Sequence, residues 1–333
     1  MTGARSLLRL ARGLPGALLL GAATPLATGH RLVVLTYHRI AADRAAGDRM
    51  APGLASATVV GFEEQLRDIS RRFSIVSLED VLDIRDNARP PAKRNLALVT
   101  FDDAYRDFAE LAWPVIRRVQ VPVAMFVATA FPDAGVPYWW DQLAYAVRTT
   151  RARGVTWSGR TLPLATDSER GAAYRAIHDD LQVIHTAISE RRVAELTEAL
   201  DVGPAPVEVL GWEELRQLVR DGLTVGGHSH SHHRLERLGA EELAADLETC
   251  RATMAREFGT QPRTFAYPTG YYDDAVARAV DAAGFAMSFT TDRGVGDQRR
   301  LDWYRLPRIN VGMRSNARSL SLQALLLPPR RAP

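Results

Sequence analysis

Lysine is almost missing from this chain of 333 residues: Lys93 is the only one among 42 basic residues. The others are arginines, and 39 acidic residues leave a net charge of only +3. That balance lacks the large single-sign field of a dedicated nucleic-acid binder, so no nucleic-acid partner is expected. Cysteine is equally scarce, and the solitary Cys250 excludes an intrachain disulfide and a cysteine-based zinc site. There are no internal repeats, and a composition of 46% hydrophobic and 24% charged residues excludes disorder and a coiled coil. Long apolar runs are lacking too. The charge-free stretch from Gly13 to His30 is interrupted by Pro15, Gly16, Gly21 and Pro25, too short and broken for a membrane span.

What is present at the N-terminus is Arg5, Arg9 and Arg12 ahead of Leu18, Leu19 and Leu20. Residues 1–30 therefore read as a signal-like segment or as a basic amphipathic stretch contacting a membrane surface. Either reading favours the cell envelope, whether periplasmic, secreted or membrane-surface, over the cytoplasm. Beyond it, short apolar runs alternate with helical patterns. Strands are expected at Leu32–Tyr37, Leu96–Phe101, Val121–Ala128, Leu223–Gly226, Thr264–Tyr267 and Ala286–Thr290. Helices are expected at Phe62–Phe73, Tyr105–Val119, Trp212–Arg220, Ala240–Phe258 and Asp274–Ala283. This βαβ rhythm predicts an α/β fold with a parallel sheet or barrel over residues 31–325. From about 137 to 206 the pattern turns mostly helical, which reads as an insertion in one βα loop or as a small second domain. Residues 326–333 read as a disordered tail.

Two local signals carry chemistry. Leu98-Val99-Thr100-Phe101 is an apolar strand ending in adjacent carboxylates, Asp102 and Asp103, ahead of a helix. In parallel α/β folds the C-terminal strand ends face the active site, where one such carboxylate can hold a metal while the other acts as base. The bland alternative is a helix cap. The second signal is Gly226-Gly227-His228-Ser229-His230-Ser231-His232-His233, which places four of the chain's eight histidines within six positions. A spacing of four lets His228 and His232 face one divalent ion from a short turn, whereas an extended segment would put His228, His230 and His232 on one face. Spacing alone does not choose between them. One carboxylate and two imidazoles around an ion with open positions form a hydrolytic arrangement, with Asp102 beside it as base.

Together these residues resemble the polysaccharide deacetylase family, the NodB-homology group of carbohydrate esterases, over about Leu32 to Val311. Thr100-Phe101-Asp102-Asp103 is similar to the family's first motif, which implies Asp102 as base and Asp103 as metal ligand. His228-Ser229-His230-Ser231-His232 is similar to the His-Ser/Thr-x-x-His motif and selects His228 and His232 as ligands. The opening Leu35-Thr36-Tyr37-His38 also looks like the start of many members. The resemblance implies a distorted parallel (β/α) barrel of about seven strands and a divalent metal, zinc before others.

The third motif is partly kept. Phe265-Ala266-Tyr267-Pro268-Thr269-Gly270 resembles the branch acting on poly-N-acetylglucosamine exopolysaccharides, and implies an oxyanion donor at Tyr267 or Thr269. Ala266 stands where many members carry the arginine that orients the base, so Arg305 or Arg308 is expected to supply that charge. The family's late histidine, which protonates the leaving amine, is not evident at Leu325-Leu326-Leu327-Pro328, and His38 is expected to replace it. In the insertion, Tyr138, Trp139, Trp140 and Asp141 read as a carbohydrate-facing lid or as core, and His178 and His185 as structural. The expected reaction is removal of N-acetyl groups from an amino-sugar glycan, releasing acetate. The rivals are an O-acetyl esterase or non-sugar amidase on the same scaffold, and a non-catalytic glycan-binding module, for which the base Asp102 would be superfluous.

Overall fold

The computed structural model describes residues 29–330. Seven parallel strands close into a barrel: β1 Arg31–Tyr37, β2 Leu96–Asp102, β3 Ala124–Val127, β4 Thr224–Gly227, β5 Thr264–Ala266, β6 Met287–Arg293 and β7 Leu306–Asn310. Each pairs with the next in chain order, and β7 pairs back onto β1. The chain reads as near-continuous apolar runs in these strands because both faces are buried. Alternation sorts the faces. Val33, Leu35 and Tyr37 of β1 join an outer core with Phe62, Leu66 and Ile69 of helix α1, Val59–Arg72, whereas Leu32 and Val34 join a second cluster with Leu98, Phe126, Ala266 and Phe289. Phe126 and Phe289 meet at a centroid distance of 5.2 Å, so this second set fills the barrel.

Strand parity then places the site. Counting by twos from those interior residues leads to His38 after β1, Asp102 on β2, His228 after β4, Thr291 on β6, and Arg308 and Asn310 on β7. All of these lie toward the C-terminal end of the barrel, above its apolar filling. β7 escapes the apolar pattern because Pro307, Arg308 and Asn310 interrupt it, yet it is the strand that closes the barrel.

The insertion leaves between β3 and β4. It consists of helix α2, Trp139–Thr149, a hairpin of Gly154–Trp157 with Arg160–Pro163, and helices α3, Asp167–Leu181, and α4, Thr186–Ala199. Its Leu143, Tyr174, Ile177 and Val193 share the outer hydrophobic core with the barrel. After β4 comes helix α5, Ala240–Phe258, and near the C-terminus helix α6, Ala317–Leu326.

Two expectations are corrected. The helix expected from Tyr105 opens as a π turn over Phe108–Ala112 and becomes α-helical at Trp113–Val119, because Pro114 lacks the N–H that a continuous α-helix needs there. The tail expected from 326 is structured as far as Arg330: Leu326 ends α6, and Pro329–Arg330 pairs with Val295–Gly296, whose edge would otherwise be open. The mostly helical pattern expected of the insertion is met, with α3 and α4 separated at Gln182–His185. Residues 1–28, which carry the signal-like or membrane-surface reading, lie outside the described residues. Among the described residues no helix is long and apolar enough to cross a membrane.

Gly226 lets β4 approach its neighbours. A Cβ there would sit 2.6 Å from the Phe126 ring and from Thr264 Oγ1. Gly226→Ala is expected to destabilise the fold by about 1–3 kcal/mol through overpacking, read as a lower denaturant midpoint with unchanged slope.

Candidate active site

Asp103 sits just past β2 in the left-handed region, at φ 72°, and Ala104 follows at φ 53°. The pair turns the chain sharply out of the strand, so Asp102 points into the barrel while Asp103 faces the cavity above. Asp103 N–H donates to the Phe126 carbonyl at 3.1 Å and its own carbonyl accepts the Tyr138 hydroxyl at 3.0 Å. The histidine loop turns in the same manner, with Ser229 at φ 63° and His232 at φ 55°. Ser229 Oγ accepts the His232 N–H at 2.8 Å. The His228 and His232 rings come to 4.9 Å apart. With Thr269 at φ 58°, five non-glycine residues around one cavity hold a conformation that costs free energy, the pattern expected where surrounding structure fixes a functional geometry.

His228 Nε2 lies 3.4 Å and His232 Nε2 3.2 Å from Asp103 Oδ1. Atoms sharing a tetrahedral ion at about 2.0–2.2 Å stand about 3.4 Å apart, so the three ligands fit a small divalent metal. Asp103 Oδ1 is buried with no hydrogen-bond partner, which a buried carboxylate oxygen does not tolerate unless something else satisfies it. His228 Nδ1 contacts the Ala266 carbonyl at 2.7 Å, which puts the ring proton on Nδ1 and leaves the Nε2 lone pair for the ion. Burial disfavours the Asp103 carboxylate, but the two imidazoles outweigh it and hold the carboxyl well below the usual range. Burial likewise works against the charged imidazoles: at His228 the Asp103 and Asp102 carboxylates prevail and raise the pKa, while at His232 burial prevails and lowers it.

Asp102 is held from both sides. Arg308 Nη1 donates to Oδ1 at 2.9 Å and Nη2 to Oδ2 at 2.8 Å, a bidentate pair buried to within 1–2% exposure. Arg308 Nε donates to the Thr290 carbonyl at 2.8 Å. Burial pushes the Asp102 carboxyl up, and Arg308, His228 and His38 together bring it below its ordinary value. His38 lines the same cavity, anchored by its N–H on Ser56 Oγ at 2.9 Å.

Other expected residues fall elsewhere. Arg305 binds Asp302 and Asp274 near the surface and does not reach Asp102, so it is not the orienting charge. Tyr267 borders the cavity, but its N–H donates to the Phe289 carbonyl at 3.0 Å and its hydroxyl to the Tyr304 carbonyl at 2.9 Å, leaving no donor for an oxyanion. Thr269 lines the cavity with its hydroxyl donated to the Pro268 carbonyl at 2.6 Å, so only its backbone remains for that role. His230 turns away to Thr129 Oγ1 at 3.0 Å. Asp141 faces inward, not toward sugar: its Oδ2 accepts the Tyr105 hydroxyl at 2.7 Å, and that hydroxyl accepts Trp140 Nε1–H at 2.8 Å. Trp140 in turn packs on His232 at 4.8 Å and stacks on Tyr138 at 4.5 Å.

The sequence reading missed Asp246, whose carboxylate accepts the N–H groups of His230 at 2.9 Å and Ser231 at 3.0 Å and so clamps the histidine loop to α5. An aspartate within the apolar stripe Leu243, Leu247, Cys250 was the available signal. It also missed His178, expected as structural, which lines the cavity and stacks on Trp139 at 5.3 Å and on Tyr174 at 5.4 Å. The cavity, about 310 Å³, is thus walled by barrel residues on one side and by the insertion on the other. Trp139 also borders a larger groove of about 860 Å³ between α2 and α4.

Two outcomes follow from these contacts. Arg308→Gln strands a buried carboxylate and is expected to cost about 3–5 kcal/mol in denaturant unfolding, with much of that recovered in Arg308→Gln/Asp102→Asn, where neither partner is charged. Burial pushes Asp141 up to about 7, helped by Asp103 and Glu208 and opposed by Arg39 and Tyr105. An unfolded aspartate titrates near 3.9, so between about pH 4 and 7 the folded chain keeps a proton that the unfolded chain has released, and stability falls as pH rises. Asp141→Asn removes this loss, and its thermal stability relative to the native chain is expected to rise by on the order of 2 kcal/mol from pH 5 to pH 8. A difference independent of pH would contradict the assignment.

The site can be set beside known proteins. The family profile described as polysaccharide deacetylase matches residues 89–288. Among curated proteins, a putative polysaccharide deacetylase of Bacillus subtilis, YxkH, is 24% identical over 107 residues, which are 32% of this chain and 38% of that protein. The matched stretch is thus well under half of the relative. Among solved structures, the Streptococcus pyogenes deacetylase PplD in complex with acetate is similar with a TM-score of 0.60 and 16% identity, covering 90% of this chain and 99% of that one. IcaB from Ammonifex degensii is similar with a TM-score of 0.54 and 18% identity, covering 90% and 98%. At these identities the structures speak to fold, that of the NodB-type barrel. With the profile spanning most of the barrel, from before β2 into β6, and with both carboxylates and both histidines of its motifs around one cavity, the chain belongs to the polysaccharide deacetylase family.

Proposed function

We propose that this protein is a metal-dependent N-deacetylase acting on N-acetylated amino sugars of an envelope or extracellular polysaccharide, or of its precursor. The observation carrying this reading is the pairing, within one cavity, of a three-ligand cluster whose Asp103 Oδ1 has no hydrogen-bond partner and a separate carboxylate held rigid by arginine. A divalent ion, zinc in this reading, would be held by Asp103, His228 and His232 and would supply Lewis acidity toward an acetamide carbonyl and toward water.

The chain's own residues account for the proton movements. Asp102, ionised at neutral pH and unable to rotate within the Arg308 fork, takes a proton from the attacking water. His38, on the neighbouring strand end, delivers a proton to the departing amine nitrogen. The Thr269 backbone N–H is the remaining motif donor for negative charge developing on the carbonyl oxygen. Trp139 and His178, stacked on the insertion side of the cavity, offer flat apolar faces suited to a sugar ring.

Acetate release from N-acetylglucosamine oligomers by zinc-loaded protein tests the reading. Asp102→Asn is expected to lower kcat at least ~10²-fold with zinc content retained. Because Arg308 helps depress the Asp102 carboxyl, Arg308→Gln is expected to shift the acidic limb of the kcat/KM profile upward in pH. Release from O-acetylated but not N-acetylated sugars would favour the esterase reading. Stoichiometric zinc with no turnover on any acylated glycan would favour a binding module.

A further inference from the structure

A second group of ligand-capable side chains lies outside the cavity. His185, in the turn between α3 and α4, His233, next in the chain after His232, and Glu242, in the first turn of α5, each bring a ligand atom within 4.8 Å of the others. His185 Nε2 stands 3.3 Å from Glu242 Oε1, and the two imidazole rings are 5.1 Å apart at 61°. Both histidines are half-buried and Glu242 is exposed, so the group is open to solvent on one side. The Glu190 carboxylate acts on His185, and that of Asp246 on His233, giving the spot a negative surrounding field.

We propose that His185, His233 and Glu242 form a second divalent-metal site, of the zinc class, that staples the insertion to the barrel. Two imidazoles and a carboxylate suit zinc or a neighbouring transition ion, with water completing the shell. The three ligands come from segments that no regular backbone pairing joins. The adjacent Arg234 makes a parallel connection, with Nη1 donating to the Gln182 carbonyl at 2.9 Å. Gln182, Ile184 and Thr186 line the catalytic cavity, so an ion at this place would fix one cavity wall to the loop that carries His232.

Without an ion, His185 has another use. Its Nδ1 accepts the Ala187 N–H at 3.3 Å, which leaves the ring proton on Nε2 facing Glu242. Metal binding at Nε2 moves that proton to Nδ1 and gives up this bond, which is longer than a strong hydrogen bond.

The test is the zinc content of the full chain after equilibration at fixed free zinc. Two equivalents are expected for the native chain and one for His233→Ala/Glu242→Gln, a variant that leaves the His185 cap in place. Asp103→Asn/His228→Ala is expected to lose the other equivalent and keep this one, so failure of the catalytic-site assignment and failure of this proposal are distinguishable. In the Asp103→Asn/His228→Ala background, cobalt is expected to give visible d–d absorption that disappears on adding His233→Ala and Glu242→Gln. Equal zinc in the native chain and His233→Ala/Glu242→Gln, or no zinc retained by Asp103→Asn/His228→Ala, would overturn the proposal.

Discussion

The guanidinium of Arg308 against the carboxylate of Asp102 is the contact around which the barrel is arranged. Below it the interior is apolar, filled by Val34, Leu98, Phe126 and Phe289, and above it lies the polar cavity. Either charge alone in that position would carry a heavy desolvation cost. Together they mark the floor of the cavity, and the pair exists only when β7 has come around to lie beside β1, two strands from the base. Closing the barrel and aiming the proposed base are therefore one structural event.

A second constraint is backbone geometry at the strand ends. Asp103, Ala104, Ser229, His232 and Thr269 all take left-handed φ without being glycine, and their neighbours make it tolerable. Asp246 holds the histidine loop from α5, Tyr138 holds the Asp103 carbonyl from the insertion, and the Thr129 and Ala130 N–H groups tie into the Ser229 and His230 carbonyls. Three separate parts of the chain thus hold the proposed metal ligands in place.

Much of this could be read from residues alone. Apolar runs ending in Asp102-Asp103 and in the histidine-rich loop marked two strand ends, and the helices Trp212–Arg220 and Ala240–Phe258 were visible from periodicity and end signals. The rest was hidden for physical reasons. β7 places a buried cation where an interior strand usually places Val or Ile, so it breaks the very pattern by which strands are found. The choice between Arg305 and Arg308 depended on that strand's parity, and it was resolved only once β7 was seen to be a strand. Tyr267 looked free to serve substrate because its partners, Phe289 and Tyr304, lie 22 and 37 residues further on. His178 looked structural because a helical face says nothing of which cavity it will border.

The position of Trp139 carries a consequence for how the insertion responds to an occupant. Its indole lines both the catalytic cavity and the outer groove. Trp139 is packed against His178 at 5.3 Å and Trp140 at 5.5 Å, so the two volumes share a wall that is itself braced by the insertion. An occupant of the cavity and an occupant of the groove would therefore rest on the same indole.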